Sequence, residues 1–240
     1  MRILLLGYGK MGKTIEQIAI SRNHTAPFKI DLENYSSLTS ITKDQVDVAI
    51  EFTQPESAYN NVKYCIEQGI PVVCGTTGWL EKKKELEELC RKNGSAFFYA
   101  SNFSVGVNLF FHLNKLLAKI MNPFPEYEVS MEEIHHKQKL DAPSGTAITL
   151  AEGIIDATPK INSWVNQPTK EKSLLGITSK RLDAVPGTHT VYYNSPVDTI
   201  EITHTAHSRE GFAKGAVVAA EWLVGKKGVF GMDDMLKISY

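Results

Sequence analysis

The chain has almost no excess of charge of either sign: 26 Lys and Arg face 27 Asp and Glu over 240 residues, a formal net charge of -1. Without an overall basic field, neither nucleic acid nor an anionic membrane is expected as a partner. Cysteine is scarce as well. Cys65, Cys74 and Cys90 are an odd count with no C-x-x-C pair, which excludes a disulfide framework and a zinc ribbon and fits a reducing compartment. Long hydrophobic runs are missing. The early apolar stretch at 3–6 is far short of the roughly 18 residues of a membrane span, and it runs into a glycine loop instead of a small-residue cleavage site. There is no internal repeat and no low-complexity tract. What is left, 42% hydrophobic and 22% charged, is the composition of an ordinary globular protein with room for one large domain or two smaller ones. A cytoplasmic protein without targeting segments is the expectation.

The first glycines stand where a buried strand turns into a helix. Ile3, Leu4, Leu5 and Leu6 form a compact apolar run, and Met11, Ile15, Ile18 and Ala19 follow at helical spacing. Between them Gly7-Tyr8-Gly9-Lys10-Met11-Gly12 matches G-x-G-x-x-G. In that pattern Gly7 makes the turn, Gly9 lets the backbone approach a pyrophosphate, and Gly12 lets helix pack on strand, with the phosphates at the positive end of the helix. Two residues more, Lys13-Thr14, also satisfy GxxxxGK[ST], the phosphate loop of nucleotide triphosphatases, and a purely structural turn is a third reading. Dinucleotide binding asks for a second strand ending in an acid about 20 residues on, which residues 28–31 supply with Asp31. The triphosphatase asks for a strand ending in a magnesium-binding carboxylate, for which 46–51, ending at Glu51, is a loose candidate.

Strand and helix keep alternating over the first hundred residues. Strands are expected at 46–52, 70–74 and 96–99, with helices starting near Gln54 and Leu80; on the second, Lys83 with Glu87 and Lys84 with Glu88 form a solvated face at i,i+4. Strands thus end in short turns after Leu6, Cys74 and Tyr99, and in a doubly wound parallel sheet such turns line the ligand crevice. After a helix at 105–121 the pattern changes to strands at 126–136, 177–184, 188–193 and 199–206, followed by a helix at 212–224. Consecutive strands predict an open, partly antiparallel sheet, and residues 159–173 read as a loop excursion.

Chemistry concentrates at 132–146. Ser144, after Pro143, is a natural N-cap for the helix that follows, and the N–H groups of Gly145 and Thr146 at that helix start suit an anion such as a carboxylate. Lys139 lies just before the turn. The neighbouring His135 and His136 would point to opposite faces of a strand and so do not suggest a shared metal ion, and no H-E-x-x-H spacing accompanies them. In a regular strand His135 and Lys139 would share a face as a proton-transfer pair. Ser144 sits in no G-x-S-x-G elbow, and capping accounts for it.

The run from His135 to Lys139-Leu140-Asp141-Ala142-Pro143-Ser144-Gly145-Thr146-Ala147 closely resembles the signature of the 4-hydroxy-tetrahydrodipicolinate reductase (dihydrodipicolinate reductase) family. The likeness continues in order at 51–56, at 75–78, at 100–108, at 187–190, and at 202–216. It implies an α/β fold: an N-terminal Rossmann-type dinucleotide-binding domain, 1–103, with the C-terminal segment 213–240 returning to it, and an α+β substrate and oligomerisation domain with an open mixed sheet, 104–212. It implies reduction of a small dicarboxylate by NADH or NADPH on the diaminopimelate route to lysine, and a homotetramer. By the same likeness His135 and Lys139 serve proton transfer, and His136, Ser144, Gly145 and Thr146 belong to the substrate carboxylate site. Cofactor contacts fall on Gly7, Tyr8, Gly9, Lys10, Met11, Gly12, Asp31, Phe52, Thr53, Gly75, Thr76, Thr77, Ala100, Ser101, Asn102 and Phe103. No metal is implied. A non-catalytic NAD(P)-sensing protein of the same fold is the alternative.

There are departures. Many relatives have one more residue in the glycine loop, and the connection between Asp31 and Asp47 is short here. Leu32 stands where relatives often place an arginine that grips the 2′-phosphate of NADPH, which leans towards NADH, with Lys10 and Lys13 as possible compensation. His207 and Glu210 depart from the family pattern, and a substrate role for Arg209 is left open.

Overall fold

The computed structural model describes residues 1–183, 185–208 and 210–237. Ala184, expected to end a strand, and Arg209 lie outside the described residues, as do the last three of the returning segment. The chain forms two compact units: one runs to Val105 and resumes at Glu210, the other begins at Gly106 and fills the interval. Among the described residues no helix is long and apolar enough to cross a membrane.

The first unit alternates strand and helix: β1 (Arg2–Leu6), α1 (Lys10–Ser21), β2 (Thr25–Ile30), β3 (Val48–Glu51), α2 (Pro55–Glu67), β4 (Val72–Cys74), α3 (Lys83–Asn93) and β5 (Ala96–Tyr99). The apolar run of β1 exists because both faces are buried. Ile3 and Leu5 pack with Ile15 and Ala19 of α1, while Leu4 and Leu6 pack with Val62 and Ile66 of α2. The short connection after Asp31 holds 3₁₀ turns, Leu32–Ser40, capped by Asp31, whose carboxylate accepts from the Leu32 N–H.

The second unit contributes α4 (Val105–Met121), β6 (Glu128–His135), α5 (Gly145–Ala157), β7 (Ser163–Val165), β8 (Leu174–Arg181), β9 (Gly187–Asn194) and β10 (Thr199–Ala206). The sheet order is β10-β9-β6-β8-β7, antiparallel on one side of β6 and parallel on the other. Its core joins Phe110, Ala118 and Met121 of α4, Leu150 and Ile154 of α5, and Met131, Ile177 and Val191 of the strands. Two expectations need correction. The stretch read as a loop contains β7, a three-residue edge strand too short to show a period. And β6 stops at His135, after which the Lys139 N–H bonds the His136 carbonyl in a turn, so His135 and Lys139 do not share a strand face.

The chain then returns through α6 (Glu210–Leu223), β11 (Gly228–Phe230) and α7 (Met232–Leu236). β11 adds a parallel edge strand, completing the order β11-β5-β4-β3-β1-β2, and α6 lays Ala213, Ala216, Val217 and Ala220 on the face that α1 covers. Order reverses at β1 and β3, and in open α/β sheets the crevice beyond the strand ends at that point is where ligands bind. Relative to the order 3-2-1-4-5-6, the strand beyond β2 is absent among the described residues, and the 3₁₀ turns occupy its place in the chain.

Candidate active site

The glycine turn sits at the β1/β3 reversal and is held by contacts no side chain could replace. A Cβ on Gly7 would stand 2.0 Å from the Phe52 carbonyl oxygen, and one on Gly12 2.1 Å from that of Gly7. Gly9 is different: nothing lies within 4 Å of where its Cβ would be. That open side faces a cavity of about 280 Å³ lined by Gly7, Gly9, Lys10, Met11, Gly12, Asp31, Phe52 and Thr53, all expected cofactor residues. Leu6, Ile30 and Leu32 also line it, and Tyr35, Gln54, Ser57 and Asn61, which were not singled out as cofactor residues, complete the wall. Tyr8 is not among these wall residues; its hydroxyl donates to Glu16, with the Lys29 ammonium 5.3 Å from its ring centre.

The remaining turns are tied to this one. The Thr53 N–H donates to the Thr76 hydroxyl at 2.8 Å, a Cβ on Gly75 would meet the Phe52 ring at 2.3 Å, and the Ala100 N–H bonds the Cys74 carbonyl. The Phe103 ring lies 5.6 Å from that of Phe52, tilted by 54°, and Asn102 accepts from the Ser104 N–H. Ser101 and Thr77 are exposed on their turns. Under the turns lies Glu51, fully buried, taking hydrogen bonds from the Thr53 hydroxyl and N–H and from the Cys74 thiol. Burial and this carboxylate push the Cys74 thiol well above its ordinary range, so it stays protonated.

A second cluster is built at the end of β6. Glu133 and His135, two apart on one strand, point to the same side. The register brings His189 of β9 opposite Glu133 and Arg181 of β8 opposite His135. His135 Nδ1 lies 3.2 Å from a Glu133 oxygen, close enough for an ion-pair contact although off the line of a hydrogen bond. Arg181 donates to Glu133 at 3.1 Å, and the Ser144 N–H reaches both carboxylate oxygens at 3.1 Å. Burial alone would raise the Glu133 carboxyl. The His135 ring beside it and the hydrogen bonds from the Ser144 N–H and Arg181 overcome it and hold the group far below the usual carboxylate range. His189 goes the other way: burial, then repulsion from His135, lowers it to about 4, so it is neutral at pH 7.

Ser144 caps α5 as expected, accepting from the Ala147 N–H while its oxygen lies 3.1 Å from His189 Nε2. Gly145 and Thr146 open the helix, where N–H groups have no acceptor within the helix itself. Lys139 is held by Asp141 at 2.8 and 2.9 Å and keeps the Asp141 carboxyl below its ordinary range. Arg181 reaches the Lys139 and Asp141 carbonyls, binding that turn to the sheet. His136 begins the turn, half-buried.

Ligand atoms of Glu133, His135 and His189 lie within 4.8 Å of one another, a spacing a metal ion accepts. The Arg181 guanidinium already neutralises the carboxylate and the Ser144 N–H bonds both its oxygens, so the charge that would draw a cation is taken. Glu133, Arg181 and His189 were not singled out from the sequence. Alternation along a strand could have flagged Glu133; the other two depend on strand register.

Comparison with known proteins agrees with both units. The family model "Dihydrodipicolinate reductase, N-terminus" matches residues 1–103 and "Dihydrodipicolinate reductase, C-terminus" matches 106–236. A 4-hydroxy-tetrahydrodipicolinate reductase of Christiangramia forsetii is 52% identical over 98% of either chain, and one of Desulfovibrio desulfuricans is 36% identical over 95% of each. In fold the chain is similar to a dipicolinate-bound dihydrodipicolinate reductase from Paenisporosarcina sp. TG-14, with a TM-score of 0.78, 23% identity, and coverage of 98% of this chain and 99% of that one. The α/β fold, the parallel cofactor sheet, the mixed second sheet and the nearly full-length match leave one conclusion: the chain belongs to the dihydrodipicolinate reductase family.

Proposed function

We propose that the protein reduces 4-hydroxy-tetrahydrodipicolinate to tetrahydrodipicolinate with NADH or NADPH, the reaction named in its relatives, on the diaminopimelate route to lysine. The observation that carries the reading is the junction of His135, the Lys139 turn and the capped start of α5 around one small site. The nicotinamide cofactor supplies hydride when bound. Gly9 leaves room for backbone to approach its pyrophosphate, and Asp31 stands where the adenosine ribose is met in such sheets.

The chain's own residues do the rest. Gly145 and Thr146 at the helix start, with His136, bind substrate carboxylates, since anions are favoured at that end of a helix. Water leaves the 4-hydroxy precursor, hydride adds to an electron-poor carbon of the cyclic imine, and Lys139 or His135 delivers the accompanying proton. His135 is a suitable donor because the Glu133 carboxylate beside Nδ1 fixes the ring while its other nitrogen stays available. The phosphate-loop reading loses support from Thr14, whose hydroxyl donates to the Lys10 carbonyl instead of standing ready for a metal. A homotetramer built through the second unit belongs to the same proposal. The side of the mixed sheet bearing Ser130, Glu132, Thr178 and Tyr192 carries a cavity of about 540 Å³ and offers the surface, and light scattering after size exclusion tests the assembly.

The decisive assay couples the protein to the preceding synthase with pyruvate and aspartate semialdehyde and follows oxidation of NADH and NADPH. Consumption of cofactor that depends on the complete mixture is expected. No oxidation of either cofactor would leave a dinucleotide-sensing protein as the better reading.

A further inference from the structure

Glu133 has no place in the chemistry just described, yet everything in the second cluster is attached to it. Its carboxylate is fully buried. One oxygen faces His135 Nδ1 at 3.2 Å, and both accept from the Ser144 N–H at 3.1 Å, immediately before the helix start. Arg181 bonds it at 3.1 Å while reaching the carbonyl oxygens of Lys139 at 3.4 Å and Asp141 at 2.7 Å. Three parts of the site, the His135 ring, the turn bearing Lys139 and the start of α5, are therefore referred to one carboxylate. On its other side, the ring meets Gly187, where a Cβ would stand 3.0 Å from His135 Nε2. A fixed anion beside Nδ1 favours the proton there, and the missing side chain at residue 187 leaves room at Nε2.

We infer that Glu133 is the positioning residue of this active site: it orients His135 with Nδ1 protonated and Nε2 directed to the reaction, and it keeps the Lys139 turn and the carboxylate-binding helix start in register with that ring. The inference rests on the role proposed above for His135. A buried ion pair is by itself weak evidence for stability, and fold specificity is one use of such a pair. Geometric control of a proton donor is the use this arrangement supports, because an outer partner sets which imidazole nitrogen carries the proton.

The test begins with the wild-type protein, so it does not depend on a variant folding. Nitrogen-15 NMR of the neutral His135 ring is expected to show the Nδ1–H tautomer; a dominant Nε2–H tautomer would overturn the inference. Next, Glu133→Gln and His135→Gln are compared in steady-state kinetics, with NADH binding as the check that the cofactor unit is intact. Glu133→Gln is expected to lower kcat about 10²-fold, with NADH affinity unchanged and the tautomer balance of His135 moved towards Nε2–H. Glu133→Asp is expected to recover part of the loss. A merely structural carboxylate would lower the melting temperature while leaving kcat and the tautomer alone in the folded variant, and that result refutes the positioning role. If His135→Gln itself turns over like the wild type, the functional reading of His135 falls first. If His135→Gln is impaired but Glu133→Gln is not, only the inference falls.

Discussion

The two units build their candidate sites by different means. In the first, the turns after β1, β3 and β4 are shaped by backbone approaching backbone: Gly7 against the Phe52 carbonyl, Gly12 against the Gly7 carbonyl, Gly75 N–H on the Glu51 carbonyl. Of the residues lining its cavity only Lys10 and Asp31 carry charge. In the second, a buried carboxylate, a guanidinium and two imidazoles are brought to one spot by strand register. A dinucleotide presents a long, regular backbone of phosphates and sugars, which peptide dipoles suit. A small reactive ring needs charges and a proton at defined atoms, which only side chains provide. Steric change should therefore damage the first unit most, and change of protonation the second.

The largest effect is expected at Gly215, where α6 crosses the turn after β5. A Cβ there would lie 1.7 Å from the Phe103 carbonyl oxygen, and neither helix nor turn can retreat without opening the core around Phe98 and Phe103. Gly215→Val should destabilise the first unit by more than about 3 kcal/mol, the upper end of overpacking penalties. Hydrogen exchange should show it as lost protection in β5 and α6, with weakened NADH binding and little change in β6 or β9. Equal loss in both units would show that they do not respond separately.

Acid should do to the second unit what a methyl group does to the first. An unfolded His189 titrates near the ordinary histidine value of about 6.5, and in the fold burial lowers it to about 4. Between those values the unfolded chain binds a proton that the folded chain refuses, so stability is full above 6.5 and falls as the pH drops towards 4. The span corresponds to an order of 3 kcal/mol. Glu133 acts lower down: its depressed carboxyl stabilises the fold above the ordinary carboxylate range and ceases to as the pH falls through its folded value. His189→Gln should flatten the upper part of this acid limb, measured as hydrogen-exchange protection in β6 and β9 from pH 7 to 4. An unchanged limb would show that the buried imidazole does not control it.

Third in size is the effect on turnover. His135→Gln and Lys139→Ala should each lower kcat by about 10²-fold, the usual contribution of a general acid, while NADH affinity measured by fluorescence titration stays within about twofold, since neither residue belongs to the cofactor unit. Wild-type turnover in either would remove that residue from the proposed chemistry.

The same division explains what could be read in advance. The glycine turn, the acid ending β2, the Ser144 cap and the continuous apolar strands are local, each written within a few neighbouring residues. The partnership of His135 was not. Arg181 and His189 are 46 and 54 positions away, and only the pairing of β6 with β8 and β9 makes them neighbours. Periodicity left one point open: the strand expected at 126–136 stops at His135, and Lys139 follows in a turn, so the shared face that a regular strand would have given the pair does not form. The turn is set by long-range bonds from Arg181 to the loop carbonyls, which leave no mark in the local pattern.

The smallest effect expected is also the one that probes the contrast from the opposite side, because it asks how far the first unit uses charge at all. In the proposed mode of binding, the extra phosphate of NADPH would add negative charge at the adenosine ribose, beside Asp31. Asp31 is fixed there by its bond from the Leu32 N–H at 2.9 Å, and Leu32, 80% exposed, offers no charge. Of the nearby lysines, Lys29 is engaged by Glu16 at 2.5 Å, and Lys13 lies over the Tyr8 ring at 5.9 Å, which leaves Lys10 on the cavity wall. One lysine opposed by one carboxylate gives little net attraction, so NADH should be favoured over NADPH in kcat/KM by about tenfold, worth roughly 1.4 kcal/mol. Leu32→Arg should move that ratio towards NADPH by a similar factor, because an arginine can grip a phosphate with two parallel bonds. Parallel initial-rate measurements with the two cofactors decide it. A wild-type preference for NADPH would mean that Lys10 outweighs Asp31, and that the first unit, like the second, selects its ligand by placing a charge.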